Sequence, residues 1–177
     1  MHWMVLPLKR YAQFKGRSRR KEFWMWALFI IVATLALSFL DSVLGLGGRT
    51  VIGRPAGATV GAGFHTSGGV LTGLFALAMF VPNLAVQVRR LHDTDRSGWW
   101  LLLPVGLYLA GVLVLLAGVA SAGTSVTLAG AVLSFAGLIA AVVLFVFFCL
   151  DGTPGFNRFG ADPKDPAGAV DLGDVFA

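Results

Sequence analysis

Residues 70–120 read VLTGLFALAMFVPNLAVQVRRLHDTDRSGWWLLLPVGLYLAGVLVLLAGVA and place a basic turn between two long apolar stretches. Each stretch has about 20 residues, the length that an α-helix rising about 1.5 Å per residue needs to cross a hydrocarbon core of about 30 Å. Lipid offers no hydrogen-bond partners to a free backbone, so a spanning segment must be helical. The basic turn is therefore predicted to join two transmembrane helices.

The rest of the chain repeats this pattern. Of the 177 residues, 56% are hydrophobic and only 13% are charged, whereas a soluble domain averages about 25% charged residues. Four segments have the length and composition of membrane spans, at about residues 23–46, 70–88, 99–120 and 128–150. We therefore predict an all-α membrane protein with four transmembrane helices.

Lysine and arginine residues are distributed unequally between the two sides of these spans. Twelve lie before the first span, between the second and third, or after the fourth, and only Arg49 and Arg54 lie in the first outer loop. Positive residues stay on the cytoplasmic side, so both termini are predicted to be cytoplasmic. Because these residues flank spans and form no separate basic domain, nucleic acid is not an expected partner.

Three regions are expected along the chain. In residues 1–17, apolar side chains recur at roughly helical spacing, which predicts a short amphipathic helix at the cytoplasmic membrane interface, ended by Gly16. Ser18 is expected to cap the next helix. Residues 18–163 form the membrane domain, and residues 164–177 are expected to form a flexible cytoplasmic tail.

Three polar side chains lie within the predicted spans, namely Asp41, Asn83 and Gln87. Asn83 and Gln87 are four residues apart, on one face of a helix that Pro82 should kink. Hydrogen bonding between helices explains both, and an interfacial carboxylate in reach of water explains Asp41. The alternative is that all three line a solute path in a small transporter or channel.

The strongest candidate for chemistry is His92 next to Asp93. Adjacent helical residues point about 100° apart, and no second His or Cys stands at metal-ligand spacing, so no metal site, cofactor or catalytic set is predicted. Arg89 and Arg90 are placed to pair with Asp93 and to oppose the helix dipole. A membrane enzyme using His92 and Asp93 is retained as a second alternative.

The fourth span carries a stripe of small residues, Gly130, Ser134, Gly137 and Ala141. Such a stripe lets another helix backbone approach closely. The third span, joined by a short connection, is the expected partner, and a homo-oligomer is the alternative.

Three ordered motifs resemble those of the domain-of-unknown-function family 805, and together they cover about residues 8–163. They are Phe14–Arg19 with Phe23-Trp24, Arg89–Asp93 with Ser97–Trp100, and Gly155–Gly160 with Pro163. Phe159 departs from the family, which more often has Tyr there. The resemblance implies a multi-pass protein of the bacterial plasma (inner) membrane, and it brings no established activity.

All three motifs lie on the predicted cytoplasmic side. We therefore expect their polar residues to form one inner-face cluster, consisting of Arg17, Arg19, Arg89, Arg90, His92, Asp93, Asn157 and Arg158. The excess of arginine over aspartate would leave this cluster electropositive. The leading interpretation is a non-enzymatic membrane protein whose inner-face cluster binds anionic lipid headgroups or a protein partner.

Overall fold

The computed structural model describes residues 2–47, 69–121 and 123–165. The described elements, in chain order, are α1 (His2–Lys9), α2 (Arg20–Val43), α3 (Val70–Asp93), a short 3₁₀ helix (Gly98–Leu101), α4 (Leu102–Ala120) and α5 (Thr124–Cys149). Helices α2 and α3, the continuous 3₁₀–α4 segment and α5 are each long and apolar enough to cross a membrane. The prediction of an all-α protein with four spans and a short N-terminal helix is confirmed. Most of the first outer loop and of the expected flexible tail lies outside the described residues.

Two helix ends differ from the expected positions. Helix α3 continues to Asp93, five residues beyond the predicted end, because its basic last turn is buried among partners described below. Helix α2 begins at Arg20, and its N-cap is Arg19, which makes no side-chain capping hydrogen bond. The expectation that Ser18 caps α2 is therefore wrong. The backbone N–H of Ser18 donates instead to the Arg89 carbonyl at 3.1 Å, and its side chain is buried.

Helices α4 and α5 form one tight pair. A Cβ atom added to Gly130 would lie 2.3 Å from the Leu115 nitrogen, and one added to Gly137 would lie 2.7 Å from the Tyr108 nitrogen. On the α4 side of the interface, a Cβ atom added to Gly111 would lie 2.4 Å from the Ser134 nitrogen. The small-residue stripe of α5 therefore packs against α4, as predicted.

Helices α2 and α3 form the second pair, and the two pairs meet mainly at the end that carries the basic turn. A small hydrophobic core lies there, built around Leu91, Leu101 and Phe148. Phe23 of α2 packs on Phe148 of α5, with ring centroids 4.7 Å apart. Farther into the membrane, a groove separates α3 from the α4–α5 pair.

At the opposite end, Asp41 of α2 caps the N-terminus of α3. Its carboxylate accepts hydrogen bonds from the backbone N–H groups of Leu71 at 3.0 Å and Thr72 at 2.9 Å, and from the Thr72 hydroxyl at 2.8 Å. The N-cap residue itself, Gly69, has no side chain to do this. Asp41 is fully buried, so it is not the water-exposed carboxylate that we had expected.

The N-terminal segment packs against both α2 and α3. Helix α1 ends at Lys9, earlier than the predicted stop at Gly16, and Gly16 instead adopts a positive φ of 92°. The Tyr11 hydroxyl donates a hydrogen bond to the backbone oxygen of Ala78 in α3. Ala78 lies 15 residues before Asp93, or about 22 Å along the helix. The segment after α1 therefore follows α3 for much of its length.

Candidate functional site

Asp93, the last residue of α3, is the centre of a buried ion-pair network. Its Oδ1 lies 3.0 Å from Nε of Arg17, and its Oδ2 is bound by Nη1 of Arg90. All three residues are buried. Burying charged groups costs free energy unless their remaining hydrogen-bond donors also find acceptors. The other contacts of the two arginines therefore determine whether the network stabilises the fold.

Arg90 ties α3 to the C-terminus of α5. Its Nε donates to the Phe148 carbonyl at 3.2 Å, and its Nη2 donates to the Leu150 carbonyl. The last carbonyls of a helix have no partner within the helix, and they carry its negative dipole end. The Arg90 guanidinium supplies both the missing donors and the opposing charge.

Arg17 ties the segment before α2 to the turns that follow α5. Its Nη1 donates to the Gly155 carbonyl at 2.6 Å, and its Nη2 donates to the Thr153 carbonyl. The Thr153 N–H donates a hydrogen bond to the Asp93 carbonyl at 2.8 Å. Gly152 is required beside this contact, because a Cβ atom there would lie 2.2 Å from Oδ2 of Asp93.

Arg89 has a separate partner, Glu22 of α2. Their side chains approach to 3.1 Å, and both are buried. None of the Arg89 nitrogens makes a hydrogen bond of good geometry with a described residue. Sequence reasoning missed Glu22, although the signal was present: it is the only acidic residue among the first 40.

His92 makes three contacts with neighbouring segments. Its Nδ1 lies 3.2 Å from the Gly16 carbonyl, and its ring stacks on Phe159 at 3.8 Å between centroids. Its backbone carbonyl accepts a hydrogen bond from the Asn157 amide at 3.0 Å. Within the described ranges, no three His, Cys, Asp or Glu side chains converge on a common point.

The remaining member of the third motif, Arg158, pairs with Asp95. Its Nε lies 3.1 Å from the Asp95 carboxylate, and its Nη2 donates to the Asp95 carbonyl at 2.7 Å. Asp95 has a φ of +56° in the basic turn. This pair is exposed, so its contribution to stability is small.

The structure thus assembles most of the predicted inner-face cluster, but with a different charge balance. Arg17, Arg90, His92, Asp93 and Asn157 form one connected network, whereas Arg89 and Arg158 have acidic partners of their own. Backbone carbonyls occupy much of the remaining donor capacity. The predicted arginines therefore do not together form the electropositive surface that we expected.

A strongly basic surface lies beside the network. Four cationic side chains line a pocket of about 310 Å³, which we call the basic pocket: Arg19, Arg20, Lys21 and Lys164. Asp151 contacts two of them, Arg20 at 2.6 Å and Lys164 at 3.0 Å. The hydrogen bond from Lys164, reinforced by the charge of Arg20, lowers the pKa of Asp151 below its ordinary value.

The three polar residues within the spans do not share a path in the structure. Asp41 caps α3 at one end, and the Asn83 side chain accepts a hydrogen bond from Nε1 of Trp26 at 3.4 Å. Gln87 lines the groove between α3 and the α4–α5 pair. Hydrogen bonding between helices, the first of the two interpretations, accounts for Asn83.

Comparison with known proteins places these features in a family. The family described as "Protein of unknown function (DUF805)" matches residues 11–161. The inner membrane protein YhaH of Escherichia coli (strain K12) is 37% identical over 93% of this chain and 98% of its own. The inner membrane protein YhaI of the same strain is 35% identical, with coverage of 93% and 97%. No solved structure matches the chain.

Proposed function

The chain belongs to the DUF805 family of inner-membrane proteins, and on that premise we propose that it binds anionic phospholipid headgroups in the basic pocket. The observation that carries this proposal is the convergence of four cationic side chains on one concave surface. Asp151 pairs with two of them, Arg20 and Lys164, and Lys21 adds a further positive charge to the lining.

The position of the pocket favours a lipid over a soluble anion. It lies at the N-terminus of α2, where the helix dipole adds positive potential and no side chain caps the first turn. Trp24, one turn into the span, is partly exposed and suits the headgroup level of a bilayer. Basic groups at the end of a span attract anionic lipids by about 1 kcal/mol for each Lys or Arg.

We further propose that the pocket faces the cytoplasm, with both termini on that side. Twelve of the 14 Lys and Arg residues lie on this side of the spans. Fusion of a reporter that is active only in the periplasm, after Lys164 in one chain and within residues 50–66 in another, tests the orientation. Activity in the loop fusion alone supports it, and activity in the Lys164 fusion alone reverses it.

A non-catalytic role fits the same geometry. The ring of His92 is stacked and hydrogen-bonded, and Asp93 is neutralised by two arginines. These contacts give His92 and Asp93 structural roles, and Asp93 has no carboxylate oxygen without a cationic partner. We therefore propose that these two residues hold the fold together and perform no chemistry.

The lipid proposal is tested with the whole protein in nanodiscs of phosphatidylcholine containing a small fraction of phosphatidylglycerol. Native mass spectrometry after release counts the anionic lipids that remain bound. Arg19→Gln/Lys21→Gln removes two charges from the pocket, which predicts a loss of affinity of about thirtyfold. Lys9→Gln/Lys15→Gln is the matched control, because both side chains are exposed and neither lines the pocket.

Equal loss of bound phosphatidylglycerol in the two double variants would overturn the proposal, since general electrostatic attraction would then explain the binding. Unchanged binding in both would overturn it as well. Melting temperatures measured on the same samples show whether either variant has lost its fold.

A further inference from the structure

A second concave site lies within the membrane level of the protein, which we call the lateral groove. It separates α3 from the α4–α5 pair and has a volume of about 390 Å³. Its lining includes Gln87, Pro104, Tyr108, Leu138, Ala141 and Leu144. Ligand sites in proteins are typically of this size, mostly apolar, and supplied with a few polar groups.

Two polar groups line this otherwise apolar groove. The Gln87 amide and the Tyr108 hydroxyl make no hydrogen bond with any described residue, unlike Asn83, which is paired. Gln87 lies six residues before the end of α3, and Tyr108 lies seven residues after Leu101. Gln87 is thus about 9 Å along α3 from the basic turn, and Tyr108 is about 16 Å along the 3₁₀–α4 segment from Gly98. Both line the same groove, and an occupant with oxygen acceptors there would satisfy them.

A cation of the basic turn packs on the hydrophobic core that the groove borders. The Arg96 guanidinium sits 3.8 Å from the ring centroid of Phe147 and forms no ion pair with a described residue. Phe147 packs against the same hydrophobic core as Leu144, and Leu101 belongs to that core. Both leucines also line the groove, so Arg96 and the groove lie on the same core.

We propose that the lateral groove holds one glycerophospholipid from the adjacent leaflet. The acyl chain lies along the apolar wall, the ester oxygens accept hydrogen bonds from Gln87 and Tyr108, and the phosphate pairs with Arg96. The order of these groups along the protein matches the order of chain, ester and phosphate in the lipid.

This site is independent of the basic pocket and differs from it in selectivity. The basic pocket requires net negative charge, whereas the lateral groove recognises a chain, esters and one phosphate. Zwitterionic phosphatidylethanolamine should therefore occupy the groove and not the basic pocket. Because the two sites are expected to bind different lipids, one proposal can be contradicted by experiment while the other stands.

The first test uses nanodiscs whose lipid is phosphatidylethanolamine alone, followed by native mass spectrometry of retained lipid. Ala141→Phe fills the groove and should lower the fraction of protein with one bound lipid about tenfold. Ala131→Phe adds the same ring at an exposed position of the same helix, outside the groove, and should leave that fraction unchanged. Arg19→Gln/Lys21→Gln should also leave it unchanged.

Equal retention in Ala141→Phe and Ala131→Phe would overturn the inference. Arg96→Gln should weaken retention several-fold and Arg96→Lys should restore most of it, because the phosphate requires a cation. If Arg96→Gln behaves as the wild type does, the phosphate assignment is wrong.

The second test does not depend on a variant that blocks the groove. A phosphatidylethanolamine with a diazirine on its acyl chain, activated by light in the wild-type protein, should label peptides containing Tyr108 and Ala141 above those containing Ala131. Uniform labelling of α5 would contradict a specific site. Efficient disulfide formation between two copies of Ala141→Cys/Cys149→Ser would show that a second protein molecule, and not a lipid, fills the groove.

Discussion

The hydroxyl of Tyr11 donates a hydrogen bond to the backbone oxygen of Ala78. In a regular α-helix, that oxygen accepts from the N–H four residues later, but the fourth residue here is Pro82, which has no N–H. Lipid cannot supply the missing donor. The N-terminal segment therefore completes a hydrogen bond that the proline of α3 leaves open.

This relationship predicts a non-additive pair of substitutions. Tyr11→Phe should destabilise the protein by about 0.6–1 kcal/mol, because the Ala78 carbonyl loses its donor. In a Pro82→Ala background the helix supplies its own N–H, so the same substitution should have almost no effect. Unfolding in mixed micelles, measured for all four members of the double-mutant cycle, gives the coupling. A coupling of zero would falsify the assignment of Tyr11 as the substitute donor.

A second prediction concerns the cap that α2 provides to α3. Asp41→Ala leaves the N–H groups of Leu71 and Thr72 without an acceptor and should lower the melting temperature by roughly 2–4 °C. Asp41→Asn retains an acceptor and should lose less. Ser42→Ala, at the exposed neighbouring position, is the control and should be neutral.

The same cap makes Gly69 intolerant of a side chain. A Cβ atom there would lie 2.0 Å from the Asp41 carboxylate, which is held by three hydrogen bonds. Gly69→Ala should therefore destabilise the protein at least as much as Asp41→Ala does. In the double variant Gly69→Ala/Asp41→Ala the clash disappears, and the loss should be smaller than the sum of the two single losses. Strict additivity would argue against the contact.

A third prediction concerns the turn that packs on Asp93. Gly152→Ala should cost about 1–3 kcal/mol, since its Cβ would collide with a carboxylate that Arg17 and Arg90 hold in place. Hydrogen exchange should increase at Thr153, whose N–H is bonded to Asp93. Gly106→Ala is the matched control, because no atom lies within 4 Å of its added Cβ. Equal stability of the two variants would show that the turn is not held against Asp93.

A fourth prediction follows from the lowered pKa of Asp151. A group whose pKa is lower in the folded state stabilises that state above its unfolded pKa of about 3.9, and this contribution disappears as the pH falls through the folded value. The protection of amide hydrogens in residues 151–165, relative to the exchange rate of an unfolded chain at the same pH, should therefore fall below about pH 4. The effect should be modest and sensitive to salt, because Asp151 and both partners are exposed. In Asp151→Asn, the amide hydrogens of these residues should already be less protected at pH 6. Their further loss of protection at low pH should be smaller than in the wild type.

Much of the architecture was predictable because it depends on local properties. Span length and hydropathy determine which segments are helical in lipid. The structure also brings together five residues of the three motifs, Arg17, Arg90, His92, Asp93 and Asn157. The small-residue stripe of α5 also identified its partner, because a short connection leaves α4 as the nearest helix.

The charge balance of the site was not predictable in the same way. Counting arginines against Asp93 indicated an electropositive cluster, but Glu22 neutralises Arg89 and backbone carbonyls occupy Arg17 and Arg90. Every residue has a backbone carbonyl, so the residue types in a sequence do not indicate which carbonyls will bind an arginine. The basic pocket combines residues 19–21 with Lys164, and only the fold brings them together.

By itself, the amino-acid sequence determined the four spans, the unequal distribution of basic residues and the family, since each depends on composition or order along the chain. The tertiary structure alone decided that Tyr11 completes α3 and that Asp41 caps it, across separations of 67 and about 30 residues. It also decided which cations line the basic pocket. The physical reason is that a buried polar group must find a partner in three dimensions, and the position of that partner depends on how the helices pack.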